Sequence, residues 1–236
     1  MQFYRTLSPV KVLSFDLDDT LYDNGPVIAA AEQAFLTMLA EKSEIAELDA
    51  AYWVSWKQLV GRRNAQLCED VVRWRIVAMR ALLNHHGISG VREQQIVLDC
   101  MAEFVLWRHK VSASEQVVKT LNRLAKRFPL AAISNGNLVP HQINLPHFSL
   151  YLRGGQHGRA KPHGELFART AAHFNVRCEE ILHVGDSLTT DVAGAINAGC
   201  QAAWLRVPAQ DVFHAQDARV LPTLTIDSLD ELLELL

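Results

Sequence analysis

The residues with the clearest capacity for chemistry are two carboxylates that follow the first apolar segment of the chain. Asp16 and Asp18 belong to the run Asp16-Leu17-Asp18-Asp19-Thr20, directly after Val12-Leu13-Ser14-Phe15. Residues two apart in extended backbone point to the same side, so both carboxylates face one way. Paired carboxylates can transfer protons, but an acidic turn is also an ordinary way to end a strand. A D-x-D-x-T pattern arises by chance in about one chain of this length in twenty, so the run alone decides nothing.

Three later segments carry polar groups at the ends of predicted strands or in the loops beside them. Ile133-Ser134-Asn135-Gly136 ends an apolar segment with a hydroxyl and a glycine, and Lys161-Pro162 stands in a loop before a helix. Val184-Gly185-Asp186-Ser187 ends another apolar segment, and Asp191 follows shortly after it. Ligands bind at the carboxyl ends of the strands in an open parallel sheet. The sequence therefore predicts one polar site that these segments share with the acidic run.

Apolar patterns predict the elements that must position these groups. Short apolar runs bounded by turn residues predict strands over residues 12–17, 130–134, 149–152, 181–184, 202–207 and 224–226. Helical periodicity fills the intervals between the later strands, including a helix over residues 191–198 that ends before Gly199. Strands that alternate with helices form a mostly parallel sheet covered on both faces. We therefore predict an α/β fold, with a Rossmann-like three-layer core and a mostly parallel sheet.

A block of purely helical periodicity interrupts this alternation directly after the first strand. Between about residues 23 and 110 the apolar residues recur at helical spacing, and no strand pattern is found. The stripes are Ile28, Ala31, Phe35 and Leu39, then Leu67, Val71, Trp74, Ala78 and Leu82, then Val97, Met101, Phe104 and Arg108, where the last stripe turns polar. We predict a core of residues 1–22 and 111–236, split by an inserted all-helical domain of residues 23–110.

The composition of the chain is that of a soluble globular protein. The 236 residues are 49% hydrophobic and 21% charged, with a formal net charge of −3. Disorder needs low hydrophobicity with high net charge, so a disordered chain is excluded. Nucleic-acid-binding proteins usually carry a basic excess, and the pI near 6.4 argues against that class. The length corresponds to two domains or to one domain with a large insertion.

Cysteine spacing and the N-terminal residues indicate the compartment. Cys68, Cys100, Cys178 and Cys200 form no C-x-x-C pair, so we expect free thiols in a reducing environment. The N-terminal segment has no long apolar core and no small-residue cleavage site. The uncharged stretch 130–152 contains prolines, asparagines and histidines, which argue against a membrane span. We expect a cytoplasmic protein that binds no nucleic acid or membrane and has no obligate protein partner.

Taken in this order and context, the four polar segments resemble the signature of the haloacid dehalogenase-like hydrolase superfamily, most of whose members are phosphatases. The resemblance spans nearly the whole chain, and a helical insertion directly after the first strand is similar to the smaller, C1 type of cap in that superfamily. It implies a phosphatase that acts on a small phosphorylated metabolite through an aspartyl-phosphate intermediate. It also implies that the cap closes over the site and selects the substrate.

The resemblance implies a role for each polar residue. Asp16 is expected to be the nucleophile, and Lys161 to supply fixed positive charge to Asp16 and to the phosphate, whose own negative charge resists attack by a carboxylate. Asp18 is expected to protonate the leaving oxygen and then to deprotonate the water that hydrolyses the intermediate. The residues expected to contact the phosphate are Asp16, Leu17, Asp18, Ser134, the Asn135 backbone amide and Lys161.

A divalent cation is the expected cofactor. The carboxylates of Asp16, Asp18 and Asp186 would repel one another without one, and a hard cation with oxygen ligands, Mg²⁺, meets this need. By resemblance its ligands are the Asp16 carboxylate, the Asp18 backbone carbonyl and the Asp186 carboxylate. Thr20 and Asp191 are expected to lie behind these ligands and to orient them.

The presence of Asp18 distinguishes between the alternative activities of this superfamily. A dehalogenase expels halide, which needs no proton, and members of the superfamily with that activity generally lack this carboxylate. A sugar phosphomutase keeps both aspartates and a helical cap, so it stays as the alternative to hydrolysis. A binding module without turnover is a third hypothesis, against which the intact Asp16, Asp18, Lys161 and Asp186 argue.

Other residues that stand out have simpler interpretations. The pairs Trp74-Arg75 and Trp107-Arg108, with Arg73, are expected to serve helix packing, with the arginines solvated or ion-paired. No third ligand stands near His85-His86 to complete a metal site, and His183 is expected to be a core residue or to lie behind the site. His157 and Arg159, shortly before Lys161, are candidates to touch an anionic substrate.

Longer sequence segments indicate which group of the superfamily the chain resembles. Residues 15–24, FDLDDTLYDN, together with Asn135-Gly136-Asn137, His157-Gly158-Arg159 and His183-Val184-Gly185-Asp186, are similar to the enterobacterial flavin-pathway phosphatases. These act on 5-amino-6-(5-phospho-D-ribitylamino)uracil, a riboflavin precursor, and their relatives also hydrolyse FMN and sugar phosphates. The resemblance implies the same substrate class here.

Overall fold

The computed structural model describes residues 1–46, 48–206, 212–213 and 215–236. The chain divides into two compact units. The core unit consists of Met1–Asp23 and Ser112–Leu236, and the insertion unit consists of Asn24–Val111.

The core unit contains one seven-stranded sheet. Its strands are β1 (Gln2–Phe3), β2 (Val12–Phe15), β3 (Leu130–Ser134), β4 (Leu150–Arg153), β5 (Ile181–Gly185), β6 (Gln201–Leu205) and β7 (Leu224–Ile226). They lie in the order β1-β7-β6-β5-β2-β3-β4. Each neighbouring pair is parallel except β1 with β7, which is antiparallel. The predicted α/β fold with a mostly parallel sheet is therefore confirmed, while Val207, placed at the end of a predicted strand, lies outside the described residues.

The strand β2 occupies the middle of the sheet. All four of its residues are completely buried, as expected for an apolar run that is covered on both faces. Its polar member, Ser14, places its hydroxyl 2.9 Å from His183 Nδ1 on β5. A strand with neighbours on both sides gives a rigid position to the residue that follows it, Asp16.

The helices agree in part with the predicted periodicities: the first and third stripes of the insertion each lie on one helix, whereas Leu67 of the second stripe lies in a separate 3₁₀ helix, Ala65–Glu69. They are α1 (Gly25–Ser43), α2 (Ala50–Arg63), α3 (Val71–His85), α4 (Gly90–Arg108), α5 (Glu115–Leu124), α6 (Glu165–Phe174) and α7 (Ala193–Asn197). A π-helical turn, Leu188–Val192, leads into α7, and a 3₁₀ helix, Leu229–Leu235, begins with a capping box of Ser228 and Glu231. Within the described ranges, every helix is too short or too polar to cross a membrane.

The insertion unit packs α1 to α4 around an aromatic centre. The Phe35 ring lies 4.9 Å from Trp53 and 6.2 Å from Phe104, measured between ring centroids. Arg75 makes a bidentate ion pair with Glu32, at 2.8 and 2.5 Å, so one predicted arginine pairing is confirmed. Arg108 is only 2% exposed, so of the two expectations for the arginines, solvated or ion-paired, solvation is wrong for this residue. Its long aliphatic stem continues the apolar stripe of α4.

The four cysteines are free thiols, as predicted. Cys100 and Cys200 are buried. Burial raises the pKa of the Cys100 thiol to about 12, which leaves it protonated and unreactive at neutral pH.

Candidate active site

The polar residues singled out in the sequence gather at the carboxyl edge of three neighbouring strands. β2 pairs in parallel with β3 on one side and with β5 on the other. Asp16 follows β2, and its backbone N–H donates to the carbonyl of Val184 at 2.9 Å. Ser134 ends β3, and Asp186 follows β5. Parallel strands end at the same edge of a sheet, so residues from distant parts of the chain meet here.

Lys161 is the centre of the hydrogen-bond network at this edge. Its ammonium donates to Asp16 Oδ1 at 2.6 Å, to Asp191 Oδ1 at 2.6 Å and to the carbonyl of Ile133 at 2.7 Å. The residue is only 3% exposed. A buried ammonium needs such partners because its desolvation is expensive. Lys161 thus holds two carboxylates that come from distant parts of the chain.

The loop that carries Lys161 is fixed by the side chain of Asn135. The Asn135 amide nitrogen donates to the Lys161 carbonyl at 2.8 Å, and its oxygen accepts from the Lys161 N–H at 2.9 Å. At the start of the loop, the Gly154 N–H donates to the carbonyl of Ser134 at 2.9 Å. Only the backbone amide of Asn135 figured in the prediction from the sequence. The structure shows that the Asn135 side chain also positions Lys161.

Asp191 is held at both of its carboxylate oxygens. Besides Lys161, Oδ1 accepts from His183 Nε2 at 3.3 Å, and Oδ2 accepts from the Ser187 N–H at 3.0 Å. Gly185 leaves room for this carboxylate, because a Cβ at that position would collide with it. The protein itself therefore engages every oxygen of this side chain.

His183 connects Asp191 to the interior of the sheet. The ring is 1% exposed, as predicted for a core residue, and it packs edge-on against Phe167 at 5.0 Å between centroids. Burial lowers the pKa of His183, so the imidazole is neutral at neutral pH. The network then assigns its proton to Nε2, which donates to Asp191, while Nδ1 accepts from the Ser14 hydroxyl.

Asp186 is oriented by a threonine and a tryptophan. The Thr20 hydroxyl donates to Asp186 Oδ1 at 2.9 Å and accepts from the Asp186 N–H at 3.1 Å. The indole N–H of Trp204, on β6, donates to the Asp186 carbonyl at 2.8 Å. Thr20 was predicted to lie behind the metal ligands, whereas no sequence signal distinguished Trp204 from an ordinary core tryptophan.

Leu17 contributes to the site only through its backbone. Its side chain is buried, and its carbonyl accepts from the N–H groups of Thr20 at 3.3 Å and Leu21 at 2.9 Å. Those bonds close a tight turn directly after Asp16. A phosphate contact by Leu17, as predicted, would therefore have to use its N–H.

The three neighbouring carboxylates of the site carry more negative charge than Lys161 neutralises. Asp16, Asp186 and Asp191 each place one oxygen within 4.8 Å of the others. Burial raises the pKa of Asp16 to about 8 although Lys161 opposes the shift, and burial together with Asp191 raises the pKa of Asp186 to about 6. Burial also disfavours the charge of Asp191, but Lys161 and His183 outweigh it and hold that pKa far below its usual range.

This donor set fits a hard divalent cation. Carboxylate oxygens are the ligands that Mg²⁺ prefers in proteins. A bound cation would lower the pKa values of Asp16 and Asp186 again, because it favours the ionised carboxylates. Asp191 lies in the same cluster, but Lys161, His183 and Ser187 already occupy its oxygens. The residues present therefore suit the predicted Mg²⁺.

The basic residues expected near an anionic substrate are tied into the loop before α6. His157 Nδ1 accepts from the Arg153 N–H at 2.8 Å. The Arg159 guanidinium lies 2.9 Å from His163 Nε2, and the Arg159 N–H donates to Glu165 at 2.9 Å. These bonds give His157 and Arg159 a structural part in shaping this loop.

Comparisons with known proteins agree on one family. Residues 10–199 match the model of a family described as haloacid dehalogenase-like hydrolase. The chain is 39% identical over 238 residues to the 5-amino-6-(5-phospho-D-ribitylamino)uracil phosphatase YigB of Escherichia coli (strain K12), with 100% of both chains covered. It is 26% identical over 207 residues to the glyceraldehyde 3-phosphate phosphatase of Pyrococcus furiosus, covering 84% of this chain and 81% of that protein.

A solved structure named for a different activity is also similar to this chain. The 2-haloacid dehalogenase from Pseudomonas syringae pv. Tomato DC3000 superposes with a TM-score of 0.86 at 29% identity. The alignment covers 96% of this chain and 97% of that one. The similarity extends over both units of the chain.

Proposed function

The chain belongs to the haloacid dehalogenase-like hydrolase family, and from this premise we propose that it is a phosphatase whose active site surrounds Lys161. Its proposed main substrate is 5-amino-6-(5-phospho-D-ribitylamino)uracil, the compound in the name of the full-length Escherichia coli relative. FMN and sugar phosphates are proposed as further substrates. The observation that carries the proposal is the buried lysine bonded to Asp16 and Asp191 at the carboxyl edge of the sheet.

Asp16 is the proposed nucleophile. Lys161 binds Oδ1, which leaves Oδ2 to attack phosphorus. The bond from Oδ2 to phosphorus forms while the bond from phosphorus to the leaving oxygen breaks, which produces an aspartyl-phosphate. The Ser134 hydroxyl accepts from the Gly136 N–H at 2.8 Å, so its own proton can donate to a phosphate oxygen. The Asn135 backbone N–H is proposed as a second donor.

Asp18 is the proposed general acid and base. In the first step it gives a proton to the leaving oxygen, so that an alcohol and not an alkoxide departs. In the second step it takes a proton from the water that attacks the aspartyl-phosphate. Inorganic phosphate leaves, and both Asp16 and Asp18 return to their initial states.

We propose that the carboxylates of Asp16 and Asp186, with the Asp18 backbone carbonyl, hold Mg²⁺. When bound, the ion supplies the positive charge that allows an anionic nucleophile to approach an anionic phosphate. Thr20 orients Asp186, and Asp191 orients Lys161, through the hydrogen bonds described above. The raised pKa values of Asp16 and Asp186 support this role, because both carboxylates need a counter-charge.

Mg²⁺ affinity is expected to rise at least about tenfold between pH 5.5 and pH 8.5. The folded, metal-free protein holds protons on Asp186 up to about pH 6 and on Asp16 up to about pH 8, and the ion must displace them. Since both pKa values are raised above those of the unfolded chain, the metal-free protein loses stability as pH rises through the same range. Calorimetric titration with Mg²⁺ and melting curves in EDTA measure the two effects.

The matched variant for this experiment is Asp186→Asn. It should lose the part of the pH dependence near pH 6 and bind Mg²⁺ weakly at every pH. An affinity in the wild-type protein that does not change between pH 5.5 and pH 8.5 would contradict the assignment of Asp16 and Asp186 as ligands.

Dehalogenation is the second candidate function, because the Pseudomonas syringae structure carries that name. Halide leaves without a proton, so a dehalogenase has no task for Asp18. Here Asp18 is present, and the Tyr22 hydroxyl donates to it. We therefore favour phosphate monoesters. Release of halide from a 2-haloacid faster than release of phosphate from any ester would reverse this choice.

The specificity constant, kcat/KM, is expected to be at least about tenfold higher for 5-amino-6-(5-phospho-D-ribitylamino)uracil than for FMN or common sugar phosphates. Phosphate release with Mg²⁺ present measures it, and EDTA should abolish the activity until Mg²⁺ is added back. A tenfold higher kcat/KM for a sugar phosphate would rule out 5-amino-6-(5-phospho-D-ribitylamino)uracil as the main substrate. A requirement for a bisphosphorylated sugar, with an isomer as the product, would instead indicate a phosphomutase.

A further inference from the structure

Tyr22, two residues after the acidic run, contacts the proposed general acid and base, Asp18. The Tyr22 hydroxyl donates to Asp18 Oδ1, and Tyr22 is 8% exposed. The local backbone makes this contact possible. Asp19 adopts the left-handed conformation, with φ of 60°, and its N–H donates to the Tyr22 carbonyl at 3.0 Å. The chain therefore turns back on itself and brings Tyr22 beside Asp18 as an isolated bridge.

The other oxygen of Asp18 is placed by a glycine. Gly136 leaves no space for a Cβ, which would collide with Asp18 Oδ2. The same imagined Cβ would lie 3.2 Å from the Ser134 hydroxyl. Oδ2 thus lies directly over the turn that follows β3, beside the hydroxyl that we assign to phosphate binding. Both oxygens of Asp18 have fixed and different surroundings.

From this asymmetry we propose that Tyr22 is a positioning residue that selects Oδ2 as the oxygen through which Asp18 transfers its proton. The inference rests on the proposed function, in which Asp18 is the general acid. A hydroxyl that donates to Oδ1 makes that oxygen an acceptor, so a proton carried by Asp18 resides on Oδ2. In the first step this proton passes to the leaving oxygen, and in the second step Oδ2 accepts the proton of the attacking water.

Without the tyrosine hydroxyl, Asp18 loses this selection. Oδ1 is then no longer marked as the acceptor by this hydroxyl, and the proton of Asp18 can reside on either oxygen. Proton transfer requires hydrogen-bond reach between the acid and the leaving oxygen, and small misplacements of a catalytic group reduce rates strongly. The loss of rate should therefore be large for substrates whose leaving oxygen needs a proton and small for substrates whose leaving oxygen does not.

The test is Tyr22→Phe assayed with two kinds of phosphate ester. An alkyl phosphate has a poor leaving group that needs protonation, whereas p-nitrophenyl phosphate has a leaving group that departs as an anion. We expect Tyr22→Phe to lower kcat/KM about 10- to 100-fold for the alkyl phosphate and less than about threefold for p-nitrophenyl phosphate. The ratio kcat/KM is used because it reports only the steps up to departure of the first product.

Two further variants make the result interpretable. Asp18→Asn should show the same dependence on the leaving group, but more strongly, and Tyr151→Phe removes a tyrosine hydroxyl that donates to the Leu138 carbonyl at 2.8 Å elsewhere in the core unit. Tyr151→Phe should change both substrates by less than about twofold. Melting curves establish that each variant is folded.

The possible failures are distinguishable. If Asp18→Asn lowers kcat/KM equally for both esters, Asp18 is not the general acid and that part of the proposed function fails. If Asp18→Asn depends on the leaving group but Tyr22→Phe lowers both esters equally, or neither, then Tyr22 has a merely structural role and the inference is overturned.

Discussion

Replacing Asp16 with asparagine is expected to lower kcat at least about 10⁴-fold while the protein stays folded. Asparagine has nearly the same shape as aspartate, but its neutral amide does not attack phosphorus. The loss should therefore appear in kcat at saturating substrate and Mg²⁺, measured as released phosphate. Lys161 keeps Asp191 and the Ile133 carbonyl as partners in the variant, which preserves the surrounding structure.

The same variant should change how stability depends on pH. Because burial raises the pKa of Asp16 to about 8 in the folded, metal-free protein, wild-type stability contains a contribution that is lost as pH rises through about 8. Asparagine has no such titration. In EDTA the melting temperature of Asp16→Asn should therefore equal or exceed that of the wild type at pH 9, and the difference should shrink at pH 5.

Asp19→Asn is the control for this prediction. Asp19 belongs to the same acidic run, and asparagine tolerates its left-handed backbone, so we expect activity within about threefold of wild type. The wild type should also form a beryllium fluoride adduct at Asp16, visible by ¹⁹F NMR, and Asp16→Asn should not. More than about 1% residual turnover in Asp16→Asn would mean that another group attacks phosphorus. Failure of the wild type to form the adduct would favour a binding module without turnover.

Replacing Lys161 with methionine is expected to remove both activity and stability. Without the ammonium, Asp16 and Asp191 face each other in a buried site, and breaking a buried ion pair in this way costs about 3–5 kcal/mol of unfolding free energy. The activity should fall at least about 10²-fold, because the phosphoryl group loses a fixed positive charge. Chemical denaturation in EDTA and phosphate release with Mg²⁺ measure the two losses separately.

The pH dependence and a double variant test the cause of this loss. In Lys161→Met both carboxylates have pKa values above those of the unfolded chain, so the destabilisation should be small near pH 4 and grow as pH rises to 8. Adding Asp191→Asn should recover about 1–2 kcal/mol of stability without restoring activity. The exposed Lys126→Met is the matched control and should change neither quantity. A pH-independent loss in Lys161→Met would point to packing instead of charge.

The sequence predicted that polar residues at the ends of three strands would share one edge of the sheet, because each of those strands is recognisable as an apolar run. Asp16, Ser134 and Asp186 stand at the ends of apolar runs, and β2, β3 and β5 are neighbours in the sheet. Once the alternation of strands and helices indicates a parallel sheet, such residues must share one edge. That argument needs only local patterns and a general rule of topology.

Contacts that depend on how loops return to the sheet were beyond prediction. The Asn135 side chain bonds to the backbone of Lys161 because the loop folds back onto β3, and the Trp204 indole reaches Asp186 because β6 lies beside β5. No periodicity encodes either contact. The Tyr22 hydroxyl on Asp18 likewise depends on the left-handed conformation of Asp19, which an acidic residue adopts only occasionally.

Element boundaries differed where side chains override periodicity. The predicted helix over residues 191–198 begins earlier, with the π-helical turn Leu188–Val192, because Ser187 caps it: its hydroxyl accepts from the Thr190 N–H at 3.2 Å. This earlier start turns the Asp191 carboxylate back toward the strands. The strand Gln2–Phe3 is too short for any period to be visible, and it forms through its pairing with β7.

The central position of β2 also decides when this protein can become an enzyme during its synthesis. β2 is made well before its two partners, which begin only at Leu130 and Ile181. At roughly 5–20 residues per second, a ribosome needs on the order of ten to thirty seconds to supply β5 after β2. Meanwhile the contiguous insertion unit, Asn24–Val111, can fold, whereas the apolar β2 remains an unpaired segment that chaperones could bind. Catalytic competence therefore has to wait for β5, which pairs with a strand made long before it.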